Sequence, residues 1–335
     1  MNIIIPMAGR GTRIRPHSIT TPKPLIPVAG KPIVERLVED IVNLSEEKVN
    51  AIGFIIGEDF GKEVEDNLLK IAKRLGAVGH IFYQKEKLGT AHAILCAKSL
   101  LDGKVIVAFA DTLFKGKDRI NEEQDGMIFV QKVADPSAFG VVKLAVDNHI
   151  TDFVEKPTEF VSDLAIIGIY YFKDGAFLRS EMEYLIDNDL KEKGEFQLTN
   201  AMENMKQKGA KFYPGEVAEW LDCGNKDATV YTNQRVLEFT KDQELVDQSA
   251  SVKQSVIVPP CFIGKNVVVE NSVVGPYVSI GDNSTVKNCI IENSIVQLNT
   301  AIEHKNIKNS MLGNYVTYLG SPEDLSIGDY CEHKS

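Results

Sequence analysis

The sequence lacks a long apolar run: none in its 335 residues approaches the roughly 20 residues that a membrane-spanning helix needs. The opening stretch, MNIIIPMAG, contains no basic segment and only a few consecutive apolar residues, so it does not read as a signal peptide. We therefore expect no membrane partner.

Cysteine is also scarce. The five cysteines are odd in number, widely spaced and never arranged as C-x-x-C, which argues against a disulfide scaffold and against a zinc site. We expect reduced thiols in a cytoplasmic protein. Lys and Arg total 37 against 47 Asp and Glu, a net charge of −10, and this acidic balance argues against a nucleic-acid partner.

A chain of this length has room for about two domains, and its pattern changes near residue 249. Residues 1–248 alternate short apolar runs with longer amphipathic ones, which predicts a Rossmann-like α/β domain ending in a linker helix. Three later strands come without helices between them, so the sheet is expected to be mixed. The predicted strands are Asn2–Pro6, Ala51–Ile56, Gly79–Gln84, Lys104–Ala110, Gly126–Val133, Val141–Leu144, Ile150–Glu155 and Ala165–Phe172. The predicted helices are Ile33–Leu44, Asp59–Leu75, Ala91–Leu101, Phe196–Lys208 and the linker Ala228–Leu245.

Residues 249–335 show a different period. Apolar residues recur there every five or six positions, at Ile263, Val269, Val274, Ile280, Val286, Ile291, Val296, Ile302, Ile307 and Leu312. A short fixed period is typical of a solenoid, and a step of about six residues suits a parallel β-helix in which each flat side is one short strand. The alternative is a β-sandwich, which would show longer strands at wider spacing.

The first 34 residues contain no Asp or Glu but carry Arg10, Arg13, Arg15, Lys23 and Lys31. The glycine-rich run 9–13 directly follows the first predicted strand, whose carboxyl end faces the ligand crevice of an α/β sheet. Glycines let backbone N–H groups converge on a phosphate, and Arg and Lys supply positive charge. The stretch therefore predicts a polyphosphate site, although the spacing is neither that of a Walker A loop nor G-x-G-x-x-G.

Two aspartates follow predicted strands far apart in the sequence. Asp111 comes after Lys104–Ala110, and Asp222 lies in Trp220-Leu221-Asp222. Together they would suit Mg²⁺ bound to nucleotide phosphate, which prefers one or two carboxylates and retains waters. Either aspartate alone is equally consistent with a cap or a turn.

Further polar residues and glycines follow the later strands. Glu155 and Lys156 stand where a hydroxylated, phosphorylated ligand could be held, and a solvated surface pair is the alternative. Gly140 and Gly168 interrupt strands, which indicates either close approach of a ligand or tight strand packing.

Taken in order, these residues resemble the sugar-1-phosphate nucleotidyltransferases, the group of glucose-1-phosphate thymidylyltransferases and uridylyltransferases. The matching motifs are Gly9-Arg10-Gly11-Thr12-Arg13, Pro22-Lys23-Pro24, Leu88-Gly89-Thr90-Ala91, Phe139-Gly140, Glu155-Lys156-Pro157, Glu195-Phe196-Gln197-Leu198-Thr199 and Trp220-Leu221-Asp222-Cys223-Gly224. The C-terminal repeats resemble the left-handed β-helix that several members carry, where it commonly serves oligomer contacts. We therefore expect a homo-oligomer.

The resemblance implies a role for each matching residue. It implies catalytic roles for Arg13, Lys23 and Asp111, and Mg²⁺ ligation by Asp111 and Asp222. Sugar-phosphate contacts would come from Gly140, Glu155, Lys156 and Gly168. Nucleotide contacts would come from Ala8, Gly9, Gly11, Thr12, Arg13, Gln84, Gly89 and Thr90.

The implied reaction transfers a nucleotidyl group from a nucleoside triphosphate to a sugar 1-phosphate, releasing pyrophosphate. A pyrimidine nucleotide, dTTP or UTP, and glucose 1-phosphate are favoured. Three alternatives stay open: a pyrophosphorylase that makes GDP-mannose, a non-catalytic regulatory subunit of the same fold, and an added acyltransferase that would use His304 or His333 as a base. Ala8, Ala110, Thr112 and Asn200 depart from the residues usual in the family.

Overall fold

The computed structural model describes residues 1–9, 11–321, 326 and 330, so Arg10, Cys331 and His333 lie outside the described residues. Its contacts divide the chain into two compact units. One comprises Met1–Ile26 and Lys31–Ala228, and the other comprises Pro27–Gly30 and Thr229–Ser335. The boundary that we place between residues 248 and 249 stays a prediction.

The first unit is built on a ten-stranded mixed sheet with the order β5-β4-β1-β6-β11-β8-β12-β7, to which β9 and β10 are added beside β11. Strands β1, β4, β5 and β6 are parallel to one another, and β11 runs antiparallel to β6. The strands are β1 Asn2–Pro6, β4 Ala51–Ile56, β5 Val78–Tyr83, β6 Val105–Ala108, β7 Thr112–Gly116, β8 Gly126–Lys132, β9 Gly140–Leu144, β10 Ile150–Glu155, β11 Leu164–Phe172 and β12 Phe212–Asp222. Two short strands outside this sheet are β2 Pro27–Val28 and β3 Lys31–Pro32.

Helices cover this sheet through their apolar stripes. In α1, the buried side chains are spaced so that they share one face of the helix (Ile33, Leu37, Val38 and Ile41), the pattern of a core-facing amphipathic helix. Residue Asp174 caps α4 by accepting a hydrogen bond from the Phe177 N–H at 2.9 Å, as N-cap aspartates commonly do. These helices are α1 Ile33–Val42, α2 Lys62–Arg74, α3 Thr90–Leu95, α4 Gly175–Asp187 and α5 Leu198–Gln207. A further helix, α6 Lys226–Phe239, belongs mostly to the second unit.

The observed elements confirm the predicted α/β class and the mixed sheet. Several bounds differ: the segment predicted as one helix over Ala91–Leu101 is α3 followed by a short 3₁₀ turn at Lys98–Leu100. The sheet strand before Asp111 ends at Ala108, so Asp111 lies in the connection to β7 and not directly at a strand end. The prediction lacked β7, β12 and α4.

The second unit contains the predicted parallel β-helix. Its short strands stack in three parallel sheets, β13-β16-β19-β22-β25, β14-β17-β20-β23 and β15-β18-β21-β24. The strands are β13 Ser251–Lys253, β14 Val256–Ile257, β15 Phe262–Ile263, β16 Val268–Glu270, β17 Val273–Val274, β18 Ser279–Ile280, β19 Thr285–Lys287, β20 Ile290–Glu292, β21 Ile295–Val296, β22 Ala301–Glu303, β23 Asn306–Lys308, β24 Met311–Leu312 and β25 Thr317–Leu319.

The recurring apolar residues fill the interior of this β-helix. Val269 pairs with Val286, and Val286 pairs with Ile302, so each coil places an aliphatic side chain over the one below. All the predicted inward positions from Ile263 to Ile307 are buried, and Leu312 packs against them in part. Because one coil alone leaves its apolar face exposed, stacking supplies most of the stability.

The corners of the coils are made largely by asparagines with positive φ angles, including Asn266, Asn283, Asn293 and Asn309. Asn adopts this left-handed conformation more readily than most residues. Side chains at equivalent corners also bond to each other: Asn266 Nδ2 donates to Asn283 Oδ1 at 3.1 Å, and Asn293 Nδ2 donates to Asn309 Oδ1 at 2.7 Å.

None of the helices in the described part of the chain combines the length and apolarity needed to cross a bilayer.

Candidate active site

Two adjoining cavities open at the carboxyl ends of β1 and β6. The first has a volume of about 400 Å³, and the second has a volume of about 310 Å³. Both are lined by Arg13, Thr90, Phe109 and Asp111, so these residues form the boundary between them. This is the edge of an α/β sheet at which ligands commonly bind.

Every residue predicted to bind nucleotide, sugar phosphate or metal lines one of these cavities. The first holds Ala8, Gly9, Gly11, Thr12, Arg13, Lys23, Gln84, Gly89, Thr90 and Asp111. The second holds Arg13, Thr90, Asp111, Gly140, Glu155, Lys156, Gly168 and Asp222. Two cations of the basic stretch do not line either cavity. Arg15 lines a third cavity beyond the glycine loop, and the Nζ of Lys31 pairs with the Glu39 carboxylate at 2.9 Å.

The glycine loop is shaped by two different requirements. Gly11 has a φ of +57°, and a Cβ there would lie 2.8 Å from the Cβ of Lys23, so glycine is needed for the loop to close over Lys23. A Cβ on Gly9 would meet no atom within 4 Å, and Gly9 therefore faces open space in the cavity. Ala8, which stands where the family usually has glycine, is buried.

Lys23 of the first cavity forms an ion pair with Asp111, which lies at the boundary between the cavities. Lys23 is only 7% exposed, and its Nζ donates to Asp111 Oδ2 at 3.1 Å. Burial raises the pKa of Asp222, and the nearby Asp111 carboxylate acts in the same direction, while Lys23 and Arg13 act against it. The four side chains predicted to meet around one nucleotide therefore lie within electrostatic reach of one another.

Strand register brings the two aspartates together. Asp222 is the last residue of β12 and pairs with Thr112, the first residue of β7. The Cys223 N–H also donates to the Asp111 carbonyl at 3.0 Å. Residues 111 apart in the sequence are thus held side by side by an antiparallel pairing.

The donor set suits a metal ion that is bound jointly with a phosphate. Within the described ranges, no group of three or more His, Cys, Asp or Glu side chains could hold a metal ion by itself. The two carboxylates of Asp111 and Asp222 match the one or two that Mg²⁺ takes when phosphate oxygens and water complete its shell. They do not match the closed, four-ligand set of a structural zinc site.

Another part of the wall of the first cavity is built around Gly89, which precedes α3. Gly89 has a φ of +118°, and a Cβ there would lie 2.4 Å from the Phe196 carbonyl oxygen. Thr90 Oγ1 donates to Gln197 Oε1 at 3.2 Å and accepts the Leu198 N–H at 2.9 Å. Segment 196–198 therefore fixes Gly89 and Thr90 at the cavity wall.

The second cavity carries the carboxylate and the cation predicted to hold a sugar phosphate. Glu155 and Lys156 pair at 3.6 Å, and Thr199 Oγ1 donates to Glu155 Oε2 at 3.5 Å. Gly168, with a φ of +87°, lies where the pairing of β11 with β8 shifts register.

Sequence reasoning gave no role to four residues that support this second cavity. Lys193 Nζ donates to the Lys156 carbonyl at 2.8 Å and to the Glu155 carbonyl at 3.2 Å. Trp220 packs edge-on against Phe139 with ring centroids 4.9 Å apart. Trp220, Phe139 and Thr199 all lie in motifs of the resemblance, so the signal for them was present, whereas Lys193 lies in a polar turn without one.

The alternative acyltransferase base is placed differently. His304 lies at a corner of the β-helix with a φ of 53°, where its Nε2 is 3.5 Å from Glu303. A surface histidine beside a carboxylate supplies no observation that favours acyl transfer.

The fold and the site together define an α/β protein with a carboxylate pair beside a glycine-rich loop at the carboxyl edge of its sheet. The family model described as Nucleotidyl transferase matches residues 2–238, and this chain belongs to that family. A second model, described as GlmU-like, C-terminal hexapeptide, matches residues 243–302. The predicted family and the predicted hexapeptide repeats are confirmed.

Named relatives agree with this assignment. The chain is 32% identical to the bifunctional protein GlmU of Methanococcus maripaludis over 77% of this chain, but it spans only 60% of that relative's length. It is 27% identical to a glucose-1-phosphate thymidylyltransferase of Streptomyces griseus over 98% of both chains. It is 30% identical to the corresponding protein of Streptomyces antibioticus over 94% of this chain and 93% of that one.

A solved structure shares the fold. It is a UDP-glucose pyrophosphorylase complexed with UDP-glucose, with a TM-score of 0.59 and 22% identity over 71% of this chain and 98% of that one. Sugar nucleotidyltransferases generally use a divalent metal ion, which agrees with the paired carboxylates of the cavities.

Proposed function

We propose that this chain transfers a nucleotidyl group from UTP or dTTP to a sugar 1-phosphate, with glucose 1-phosphate favoured, and releases pyrophosphate. The observation that carries this proposal is the meeting of Arg13, Lys23, Asp111 and Asp222 at two adjoining cavities. The first cavity suits a nucleoside triphosphate, and the second suits a phosphorylated sugar. Substrates in both would place two phosphates at the shared boundary.

The reaction is an in-line displacement at the α-phosphorus. An ionised oxygen of the sugar phosphate forms the new P–O bond, the bond from the α-phosphorus to the bridging oxygen breaks, and pyrophosphate leaves with the electron pair. The attacking oxygen already carries its charge, so the chain needs no general base. Catalysis then depends on positioning and on stabilising charge.

Three cationic side chains of the chain would offset the repulsion between the negatively charged phosphates of the two substrates. Arg13 and the glycine loop would hold the triphosphate, buried Lys23 would lie beside the reacting phosphates, and Lys156 would hold the sugar phosphate. Preorganised donors of this kind are worth about 3–4 kcal/mol each in comparable sites. Glu155, fixed by Thr199, would accept hydrogen bonds from sugar hydroxyls.

Asp111 and Asp222 would hold Mg²⁺. When bound, such an ion neutralises part of the phosphate charge and polarises the phosphoryl group. The Lys23–Asp111 pair at 3.1 Å holds the Asp111 carboxylate at the boundary between the cavities, where the metal would be needed.

The test is a pyrophosphate-release assay that crosses UTP, dTTP, GTP, ATP and CTP with the 1-phosphates of glucose, mannose and N-acetylglucosamine. The proposal expects release with a pyrimidine nucleotide and glucose 1-phosphate, dependent on Mg²⁺. Preference for GTP with mannose 1-phosphate would replace it with the GDP-mannose alternative. No release from any combination would leave the regulatory alternative.

We also propose that the chain forms a homo-oligomer through its β-helix. Val256, Val273 and Ile290 are register neighbours on one outer face, and they are 56%, 39% and 54% exposed. A contiguous apolar stripe of this kind suits contact with a second copy, and sedimentation of the V273D variant against wild type tests it.

A cytoplasmic location is the remaining proposal. It agrees with thiols at Cys96, Cys261 and Cys289 that form no disulfide, as reducing compartments favour. It also agrees with a nucleoside triphosphate as the proposed substrate.

A further inference from the structure

The side-chain amide of Gln84 is held at the wall of the nucleotide cavity by its nitrogen end. Gln84 directly follows β5, and its backbone N–H donates to the Ile56 carbonyl at 2.9 Å. Its side-chain Nε2 lies 3.5 Å from the Gly89 carbonyl oxygen and 3.4 Å from His92 Nδ1. Both contacts are at the long end of the hydrogen-bond range, so each is individually weak.

The polarity of these two partners fixes which way the amide faces. A carbonyl oxygen only accepts, so the Gly89 contact requires the N–H end of the amide. A neutral imidazole with its proton on Nε2 offers Nδ1 as a second acceptor. In that tautomer both amide protons are directed at the protein, and Oε1 is the end of Gln84 left for a ligand in the cavity that Gln84 lines.

An acceptor at this position discriminates between nucleobases. Uracil and thymine present a donor, the N3–H, on their pairing edge, whereas cytosine presents an acceptor at N3 beside a donor amino group. An amide that was free to turn would serve either edge. An amide held with Oε1 outward favours uracil or thymine and leaves two acceptors facing each other when cytosine binds.

His92 lies behind this amide and not in the cavity. It stands in the first turn of α3, three residues after Gly89, and the residues that line the first cavity include Gln84, Gly89, Thr90 and Ala93 but not His92. Its own carbonyl accepts from the Cys96 N–H at 3.3 Å and from Cys96 Sγ at 3.4 Å. The imidazole is therefore carried by a backbone whose carbonyl is held by Cys96.

We infer that His92 is a positioning residue for base selection: it holds the Gln84 amide with Oε1 toward the base and thereby selects a pyrimidine with an N3–H over cytosine. The inference deepens the proposed function and rests on it for the identity of the nucleotide. It predicts that His92 acts only through Gln84.

The experiment measures equilibrium binding of UTP and CTP by titration calorimetry, because binding needs no turnover. In H92F the ring volume is kept but the Nδ1 acceptor is lost. One neutral hydrogen bond is worth about 0.5–1.5 kcal/mol, so the UTP-over-CTP preference should fall roughly 2- to 13-fold. In H92N the Asn Oδ1 takes the place of Nδ1, and the preference should be retained. H80F changes an exposed histidine that stacks on Phe82 in β5 and should leave the preference unchanged.

A double-mutant cycle tests whether His92 acts through Gln84. Q84A should lose the preference, and adding H92F to Q84A should change it no further, since the two residues act as one unit. A wild type that prefers CTP, an unchanged preference in H92F, or an equal additional loss in the double variant would each overturn the inference. Failure of the proposed function looks different: the UTP preference and its dependence on His92 would persist, but no sugar 1-phosphate would yield pyrophosphate.

Discussion

Gly9→Ala separates the stability of the fold from the binding of nucleotide. A Cβ at this position meets no protein atom within 4 Å, and the backbone is not in the left-handed region. The protein should therefore accept alanine without strain, and the loss of unfolded-state entropy should stabilise it by about 0.4–1 kcal/mol.

The same methyl group would enter the cavity that Gly9 lines, where we propose that the triphosphate binds. Displacing one charge-assisted hydrogen bond to phosphate costs about 1.5–3 kcal/mol, which is roughly a 10- to 100-fold rise in KM for the nucleotide. Chemical denaturation and steady-state kinetics measure the two effects on one preparation.

Gly116→Ala is the matched control. Gly116 ends β7 and lines neither cavity. A Cβ added there would lie 3.4 Å from Leu44 Cδ2, an ordinary contact distance. This variant should leave KM unchanged. If Gly9→Ala binds nucleotide as tightly as wild type does, the phosphates do not lie against the loop and the reasoning fails.

Three further outcomes follow from the structure. Asp111→Asn should lower kcat by orders of magnitude, and turnover like that of wild type would contradict its metal role. Lys156→Ala should raise KM for the sugar phosphate about tenfold or more; a rise in nucleotide KM alone would mean that the two cavities have been assigned the wrong way round. Burial opposes ionisation of Glu122, yet hydrogen bonds from Lys104 and Ser45 outweigh it and lower the pKa of Glu122 to about 2. The ionised Glu122 carboxylate should stabilise the fold by ~1–3 kcal/mol above about pH 4.5, and this contribution should be lost as the pH falls toward 2. The unfolding free energies of wild type and Glu122→Gln, measured by urea titration, should therefore converge as the pH is lowered over that range.

The parts of the fold that follow a local period could be predicted from sequence. Strands β1 and β4 and the inward positions of the β-helix depend on short apolar runs or on a repeating step, and both are visible in the sequence. The bounds of α3 were less accurate because the helical pattern continues through Cys96 and Ala97 into a 3₁₀ turn that buries the same face.

Two elements absent from the prediction, β12 and α4, differ in what their sequences indicate. Strand β12 contains Pro214 and Gly215, which are both unusual within a strand, and its parallel pairing with β8 is a tertiary effect. Helix α4 did offer a signal, since Asp174 precedes an amphipathic run and caps it. It was overlooked because the preceding segment continues the pattern of strands.

The residues of the site could be named from sequence, but their convergence could not be derived from it. The loop residues Gly9 and Gly11 are close in the chain, so their joint position follows from local geometry. Asp111 and Asp222 meet only because β7 and β12 pair in a register that places Thr112 opposite Asp222. That pairing depends on strands absent from the prediction, so the sequence suggested that the two aspartates share a metal ion without showing how they meet.

The most direct measurement quantifies both products of one turnover reaction. Wild type with Mg²⁺, UTP or dTTP, and glucose 1-phosphate should form nucleoside diphosphate-glucose and pyrophosphate in equal amounts, and Asp222→Asn should form neither at a comparable rate. Equal activity of the two proteins, or nucleotide consumption that yields inorganic phosphate and no sugar nucleotide, would contradict the account.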